Sequence, residues 1–420
     1  MYIQLSLVFA ILMIFGFLIE KILEFLNASF YGKKAPDFIR EHYSQDEEQK
    51  NLKYKRVKFK FAMIESILGF IATFLFWYLG GFGWLTVWIE SIVNSVFLQS
   101  LLFFGVIAFV SGIASIPFSY YFNFVIEEGF GFNKMTRKTF VFDLLKSSLL
   151  AVVLGGGILS FIIWVYLAAP LHFWWIVWIA LSSFMIFMTA FYAQLIVPLF
   201  NKQKPLQEGE LKDKIMKMAD QLQFKLDHIF VMDGSKRSSK ANAYFTGLGK
   251  QKRIVLYDTL INDLETDEVI AVLAHEVGHY KHRHTLFNII IGLFSTGLML
   301  YILSLFIAPN SEISILLNQV VTRDQELQSA SFFLGLIGFG ILYAPVSMVL
   351  GILMNVLSRR FEYQADAFAA KYNLDEQLQS GLIKLSKNSL SNLTPHPAYV
   401  FVNFSHPTLV QRMEALRSKK

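Results

Sequence analysis

Hydrophobic residues in this chain fall in long uninterrupted runs, not in the alternations or stripes of a soluble domain. Crossing a bilayer takes about 20 apolar residues in a helix. Runs of that length occur near 3–27, 62–85, 98–122, 147–169, 173–199, 286–308 and 331–357. Seven membrane helices are therefore predicted, with a tight turn at Ala169-Pro170 between the fourth and fifth. The first run lacks a basic leader and a small-residue cleavage site, so it reads as a retained anchor and not a signal peptide. Hydrophilic sequence remains at 200–285 and 358–420. The chain thus divides into 1–199, five helices and their loops; 200–285, a first hydrophilic catalytic segment; 286–357, helices six and seven; and 358–420, a second hydrophilic segment. Helices six and seven form an antiparallel hairpin, which brings the end of one hydrophilic segment to the start of the other. Within 200–285, Arg253 to Tyr257 reads as a β-branched strand, and Asn242 to Phe245 is its candidate hairpin partner across Gly247-Leu248-Gly249. The expected class is an all-α polytopic membrane protein with a small β-hairpin or sheet outside the bilayer.

Composition agrees with the pattern. Of 420 residues 54% are hydrophobic and only 17% charged, with a mean hydropathy of +0.46, which excludes an ordinary soluble enzyme. The net charge of +6 does not indicate a nucleic-acid partner, because the basic residues sit between the spans. Lys33, Lys34, Arg40, Lys50, Lys53, Lys55, Arg56, Lys58 and Lys60 crowd the first loop. From Phe61 to Asn133 there is no Lys or Arg, and 309–330 holds only Arg323. The positive-inside rule then places the N-terminus outside and both hydrophilic segments and the C-terminus in the cytoplasm. The short sixth loop and the lack of a retrieval signal lean toward a bacterial inner membrane over endoplasmic reticulum. There is no cysteine, so disulfides and thiolate metal ligands are excluded. The 42 Phe are expected to face lipid or neighbouring helices, and Glu65, near the interface, to face water.

The chemistry begins at Ala274-His275-Glu276-Val277-Gly278-His279-Tyr280. Two histidines four apart on a helix share one face, so both imidazoles reach one ion. Imidazole suits zinc, and a catalytic zinc takes three protein ligands plus a water. Glu276 stands where it takes a proton from that water. Thr266 is the expected N-cap of the helix, with Asp267 and Glu268 in its first turn. His282 and His284 are read as solvated or as supports behind the ligands, and Thr285 occupies the place where an extended metzincin motif needs histidine. A third ligand is offered by Arg360-Phe361-Glu362-Tyr363-Gln364-Ala365-Asp366, just past the seventh span. Glu362 and Asp366 share a helix face. On spacing alone they are a solvated pair, but the hairpin sets Glu362 at the depth of His279. Glu362 then completes a His-His-Glu set, and Asp366 can accept the second ring N–H of a ligand histidine.

Together, His275 to His279, Glu362 to Asp366, Ser405-His406-Pro407-Thr408-Leu409 with Arg412, and Gly234 to Gly247 resemble the type I CAAX prenyl proteases. Ile126 to Asn133 and Val197-Pro198-Leu199-Phe200-Asn201 extend the likeness over nearly the whole chain. That family consists of seven-span zinc metalloproteases that remove the last three residues after a prenylated cysteine; its spans enclose a water-filled chamber. The resemblance implies one Zn2+ per chain on His275, His279 and Glu362, Glu276 as general base, and Asp366 orienting His275. It also implies Asn242 and Ala243 on an edge strand that pairs with extended substrate, and His406 with Arg412 steadying the oxyanion. The alternative for Ser405-His406-Pro407 is a helix start capped by Ser405 or Thr408. His396-Pro397 has no match and is expected in a loop. The implied partners are a peptide or protein substrate, prenylated or not, and the lipid bilayer. A heat-shock-type membrane metalloprotease is the nearest alternative, disfavoured by its roughly four spans. A transporter with a structural zinc is weaker still, since such a site has no use for Glu276.

Overall fold

The computed structural model describes residues 1–226, 228–246, 253–309 and 311–418. Among them, seven helices are long and apolar enough to cross a membrane: α1 (Tyr2–Ser29), α2 (Gln45–Tyr78), α4 (Val96–Glu127), α5 (Arg137–Ala168), α6 (Pro170–Phe200), α9 (His284–Phe306) and α11 (Phe332–Lys371). No more than 11% of the apolar stretch of any of them is buried. A solid seven-helix bundle would bury far more, so these helices have lipid or open space on most sides.

Two departures from the hydropathy reading have local causes. The second span ends at Tyr78 and not near 85, because Gly80 takes a left-handed φ of +76°. The chain then starts a separate helix, α3 (Gly81–Ile92). The stretch 309–330, in which Arg323 is the one basic residue, is not a plain loop. Ser311 caps α10 (Glu312–Thr322) by accepting the Ser314 N–H at 3.1 Å. Leu317, Val320 and Val321 of that helix pack with Leu85 and Ile89 of α3 and Phe333 of α11. Both pieces are too short to span by themselves, which a search for long runs overlooks.

Outside the spans lies a four-stranded sheet: β1 (Gln203–Pro205), β2 (His228–Met232), β3 (Ala243–Thr246) and β4 (Arg253–Tyr257), in the order β1-β2-β4-β3. β2 and β4 are parallel; the other pairings are antiparallel. The expected pairing of Ala243 with Leu256 and Phe245 with Ile254 is present, while Gly247-Leu248-Gly249 lies outside the described residues. β3 is an edge strand.

Against the sheet pack α7 (Glu210–Gln221), α8 (Thr266–Lys281), α12 (Asp375–Asn388) and α13 (Leu409–Arg417). One core runs through them: Ile215, Ile254, Leu273, Val277, Ala369, Leu378 and Leu416 are all buried in it. That core joins the hydrophilic segments before and after the α9–α11 hairpin. At 1.5 Å per residue, the 40-residue α11 spans about 60 Å, twice the roughly 30 Å of hydrocarbon. Its second half therefore stands clear of the membrane and enters this core.

Candidate active site

The cap of α8 differs by one residue from expectation. Glu265, not Thr266, is the N-cap, in a reciprocal capping box with Glu268. Glu268 is buried, and its carboxylate also accepts Ser380 Oγ at 2.6 Å and Lys384 Nζ at 2.8 Å from α12. Burial pushes its pKa up, but Lys384, Ser380 and the Glu265 N–H outweigh that and hold it below the usual carboxylate value. The helix ends at Lys281, and Arg283, at a left-handed φ of 59°, turns the chain into α9.

Three turns along α8, Gly278 meets α11. A Cβ there would lie 3.0 Å from both Ala365 Cα and Phe368 Cβ, so glycine is what lets the two helices approach. The approach brings the motif histidines onto Glu362. His275 Nε2 and His279 Nε2 lie 3.1 Å apart. Glu362 Oε2 is 3.5 Å from the first, and its Oε1 is 3.2 Å from the second. His275 and Glu362 are buried.

This donor set fits a cation. Ligand atoms about 2.05 Å from one tetrahedral zinc stand about 3.3 Å apart, close to the 3.1 Å between the two Nε2 atoms and the 3.2 Å from His279 Nε2 to Glu362 Oε1. The far side of each imidazole points the same way. His275 Nδ1 is 2.8 Å from Asp366 Oδ1, and donating there leaves its Nε2 with a lone pair. His279 Nδ1 lies 3.0 Å from His284 Nδ1, whose own Nε2 is 2.8 Å from Gln364 Oε1. With His284 Nε2–H donating to the Gln364 carbonyl, its Nδ1 accepts from His279, and the second Nε2 lone pair faces the first. Two lone pairs at 3.1 Å repel unless a positive charge lies between them. The cluster favours such charge: burial lowers the pKa of His275, but Asp366 and Glu362 raise it to about 9.

Of the two readings open for His284 from the sequence, solvated or a support, the structure has the support; the sequence does not single out Gln364. His284 is buried and stacked on the Phe361 ring at 4.0 Å, whereas His282 is exposed. Nothing in a nine-residue gap from His275 reveals this. The contact depends on the break at Arg283, which resets the helical register.

The other singled-out residues surround the cluster. Arg412 gives two hydrogen bonds to Asp366, from Nε at 2.9 Å and Nη2 at 2.5 Å. It also sits 3.4 Å from His275 Nδ1. Its Nη1 is also 3.7 Å from Glu362 Oε2, and it lines a cavity together with His406. His406 faces the cluster: its Nε2 is 3.4 Å from Glu362 Oε1, and its side chain is 64% exposed. Glu276, His279, Glu362 and His406 line a cavity of about 330 Å³. Thr408 caps α13 in a capping box with Gln411, so the helix-start reading holds for Thr408, while Ser405 Oγ bonds His406 Nδ1 at 2.9 Å. His396-Pro397, expected in a loop, instead opens the short helix Pro397–Asn403, with His396 Nδ1 accepting the Ala398 N–H.

Asn242 and Ala243 lie beside this cavity, not in it. Asn242, Tyr244 and Phe245 border a second cavity of about 740 Å³ between β3 and α6, and Thr189 and Phe245 line both. The Asn242 carbonyl accepts the Tyr257 N–H at 3.0 Å. By antiparallel alternation, Ala243 and Phe245 then direct their N–H and C=O groups to the free edge. The Ala243 N–H is met there by Asn242 Oδ1 at 2.9 Å.

Two family models match the chain: CAAX prenyl protease N-terminal, five membrane helices, over 27–202, and peptidase family M48 over 205–420. It is 35% identical to CAAX prenyl protease 1 of Saccharomyces cerevisiae over 408 residues, 91% of this chain and 88% of that protein. It is 33% identical to the CAAX prenyl protease 1 homolog of Homo sapiens over 360 residues, 77% of this chain and 74% of that protein. Among solved structures, the crystal structure of S. mikatae Ste24p matches with a TM-score of 0.90 at 33% identity, covering 98% of this chain and 99% of that one.

Proposed function

The chain belongs to peptidase family M48 and is a membrane metalloprotease, and from that premise we propose that it is a zinc endopeptidase acting on prenylated proteins that end in a CAAX sequence. The observation that carries this reading is the convergence of His275, His279 and Glu362 under a cavity that Glu276 and His406 also line. We assign the zinc to those three ligands. Bound there, zinc supplies Lewis acidity, which polarises the scissile carbonyl and lowers the pKa of a water.

The remaining work falls to side chains. Glu276 removes the proton from that water and returns it to the leaving amine. Asp366 and His284 hold the two imidazoles as Nδ1–H tautomers, so both present Nε2 inward. His406 donates to the developing oxyanion. Arg412, bonded to Asp366, backing His275 and lining a cavity with His406, is a positioning residue. Extended substrate pairs with the free edge of β3 through Ala243 and Phe245, displacing the Asn242 side chain from the Ala243 N–H.

The test compares a farnesylated CAAX peptide with its unprenylated twin by mass spectrometry of the products. The expected result is release of the C-terminal tripeptide from the farnesylated peptide. Cleavage of both at equal rates would remove the prenyl group from the specificity. Cleavage of neither by zinc-loaded protein would overturn the CAAX assignment and leave the metalloprotease in place.

The orientation proposed is N-terminus outside, with the site on the cytoplasmic side, from the basic first loop against Arg323 alone in 309–330. Exposed Ser329 and Lys217 serve as probes in this cysteine-free chain. Ser329→Cys should react with an impermeant thiol reagent added outside, and Lys217→Cys should not; the reverse pattern inverts the topology.

A further inference from the structure

Two motifs lie away from the metal cluster, Ile126 to Asn133 and Gly234 to Lys240, and they meet each other. Glu127, the last residue of α4, is buried, as is Tyr54 of α2. Glu127 accepts the Tyr54 hydroxyl on one oxygen, and on the other Lys240 Nζ at 2.5 Å. Lys240 Nζ also lies 3.1 Å from Tyr54 Oη and 4.4 Å from the centre of the Phe132 ring. The backbones join as well. Lys134 N–H donates to the Arg237 carbonyl and Ser239 N–H to the Phe132 carbonyl, both at 3.0 Å. Arg237 gives two hydrogen bonds to Asp143 of α5, at 2.7 and 2.8 Å.

This junction ends two residues before Asn242. The Lys240 carbonyl accepts Thr259 Oγ1 at 3.2 Å. A buried carboxylate with one cationic partner is expensive to leave alone, so the junction fixes its residues firmly. We propose that Glu127, Tyr54 and Lys240 form a clamp by which two membrane spans set the position of the β3 edge, and with it which peptide bond of a bound substrate reaches the metal cluster. These are positioning residues, since none of them touches either cavity's catalytic side chains. The inference rests on the reading of β3 as the substrate-pairing strand.

The experiment is steady-state kinetics with product mapping by mass spectrometry on full-length protein in detergent. Zinc content and melting temperature are measured alongside. Glu127→Gln keeps shape and a partner for Tyr54 but loosens Lys240. Its KM should rise roughly tenfold with kcat within about twofold, and products cut one residue from the normal bond should appear. The exchange Glu127→Lys with Lys240→Glu should restore KM and the single product. Ala243→Pro, which removes one outward N–H without touching the β4 ladder, tests the strand reading itself. If Ala243→Pro raises KM and folded, zinc-loaded Glu127→Gln cuts as wild type, the clamp is overturned and the strand reading stands. If Ala243→Pro is silent, both fall.

Discussion

The second span and the HExxH helix start alike and end up in opposite surroundings. Each opens with a capping box, Ser44 with Glu47 in α2 and Glu265 with Glu268 in α8. Yet the apolar stretch of α2 buries none of its residues, while α8 buries nine of its sixteen. A position in α2 needs to be apolar and helix-compatible, because its neighbour is lipid or open space. A position in α8 has a particular neighbour within van der Waals reach. Chemistry that depends on tenths of an ångström belongs on the second kind of helix. Here α11 links the two: its first half is a span, and its second half packs against α8 and carries Glu362 and Asp366.

The contrast breaks most visibly at the carboxylates. Glu276→Gln should retain zinc and lower turnover by at least roughly 10²–10⁴, the usual worth of a general base. Glu362→Ala should lose zinc. Glu65→Ala, at an exposed carboxylate of α2, should change neither metal content nor rate. Zinc at wild-type stoichiometry in Glu362→Ala would sink the third-ligand assignment, and loss of zinc in Glu276→Gln would recast Glu276 as a ligand.

His406 sits between the extremes, mostly exposed yet aimed at the cluster. If it donates to the oxyanion, its bond strengthens only as charge develops. His406→Gln should then lower kcat by roughly 10²–10³ with little change in KM. A folded, zinc-loaded variant with normal kcat would leave His406 as part of a helix approach and nothing more.

The same contrast governs what can be read from sequence. Seven spans follow from hydropathy alone, because a bilayer asks only for length and apolarity. The β4–β3 pair at the free edge of the sheet is legible from β-branched residues at 253–257 beside Asn242 to Phe245. The short α3 and α10 are not, since each is below spanning length and their packing is tertiary. At the site, His275, Glu276 and His279 follow from helical periodicity, and Glu362 from the hairpin that delivers it. His284 is different. Its contact with His279 requires a left-handed Arg283 and a Gln364 on another helix, and neither leaves a periodic mark. Arg412 is legible as a site residue through family resemblance, but its partner, Asp366, emerges only when α13 is docked.

Glycines sharpen the contrast at lower energy. An alanine Cβ at Gly278 meets backbone of α11 at 3.0 Å, whereas at Gly69 in α2 nothing lies within 4 Å. Gly278→Ala should cost about 1–3 kcal/mol by overpacking and displace Glu362 from the histidines, so zinc affinity falls too. Gly69→Ala should stabilise by up to about 1 kcal/mol through helix propensity. Opposite signs of the melting-temperature shift are expected, and equal shifts would show that α8 and α11 can separate without penalty.

The smallest effect concerns the start of α8, where Glu268 is held by Lys384, Ser380 and the Glu265 N–H. Its folded pKa lies below the usual carboxylate value, so its stabilisation is fully present above the unfolded pKa. That contribution fades as pH falls through the folded value. Lys384 is partly exposed, so solvent screens the pair and the gain at neutral pH should be about 1 kcal/mol or less. Lys384→Ala should therefore melt slightly below wild type at pH 7, and the gap should narrow in acid, as the pH falls below the ordinary carboxylate range and Glu268 takes up its proton. No membrane span should contribute to that narrowing, because the contact lies wholly between α8 and α12. A gap that stays constant from pH 7 to pH 3 would mean that Lys384 acts through packing of its aliphatic stem and not through the Glu268 charge.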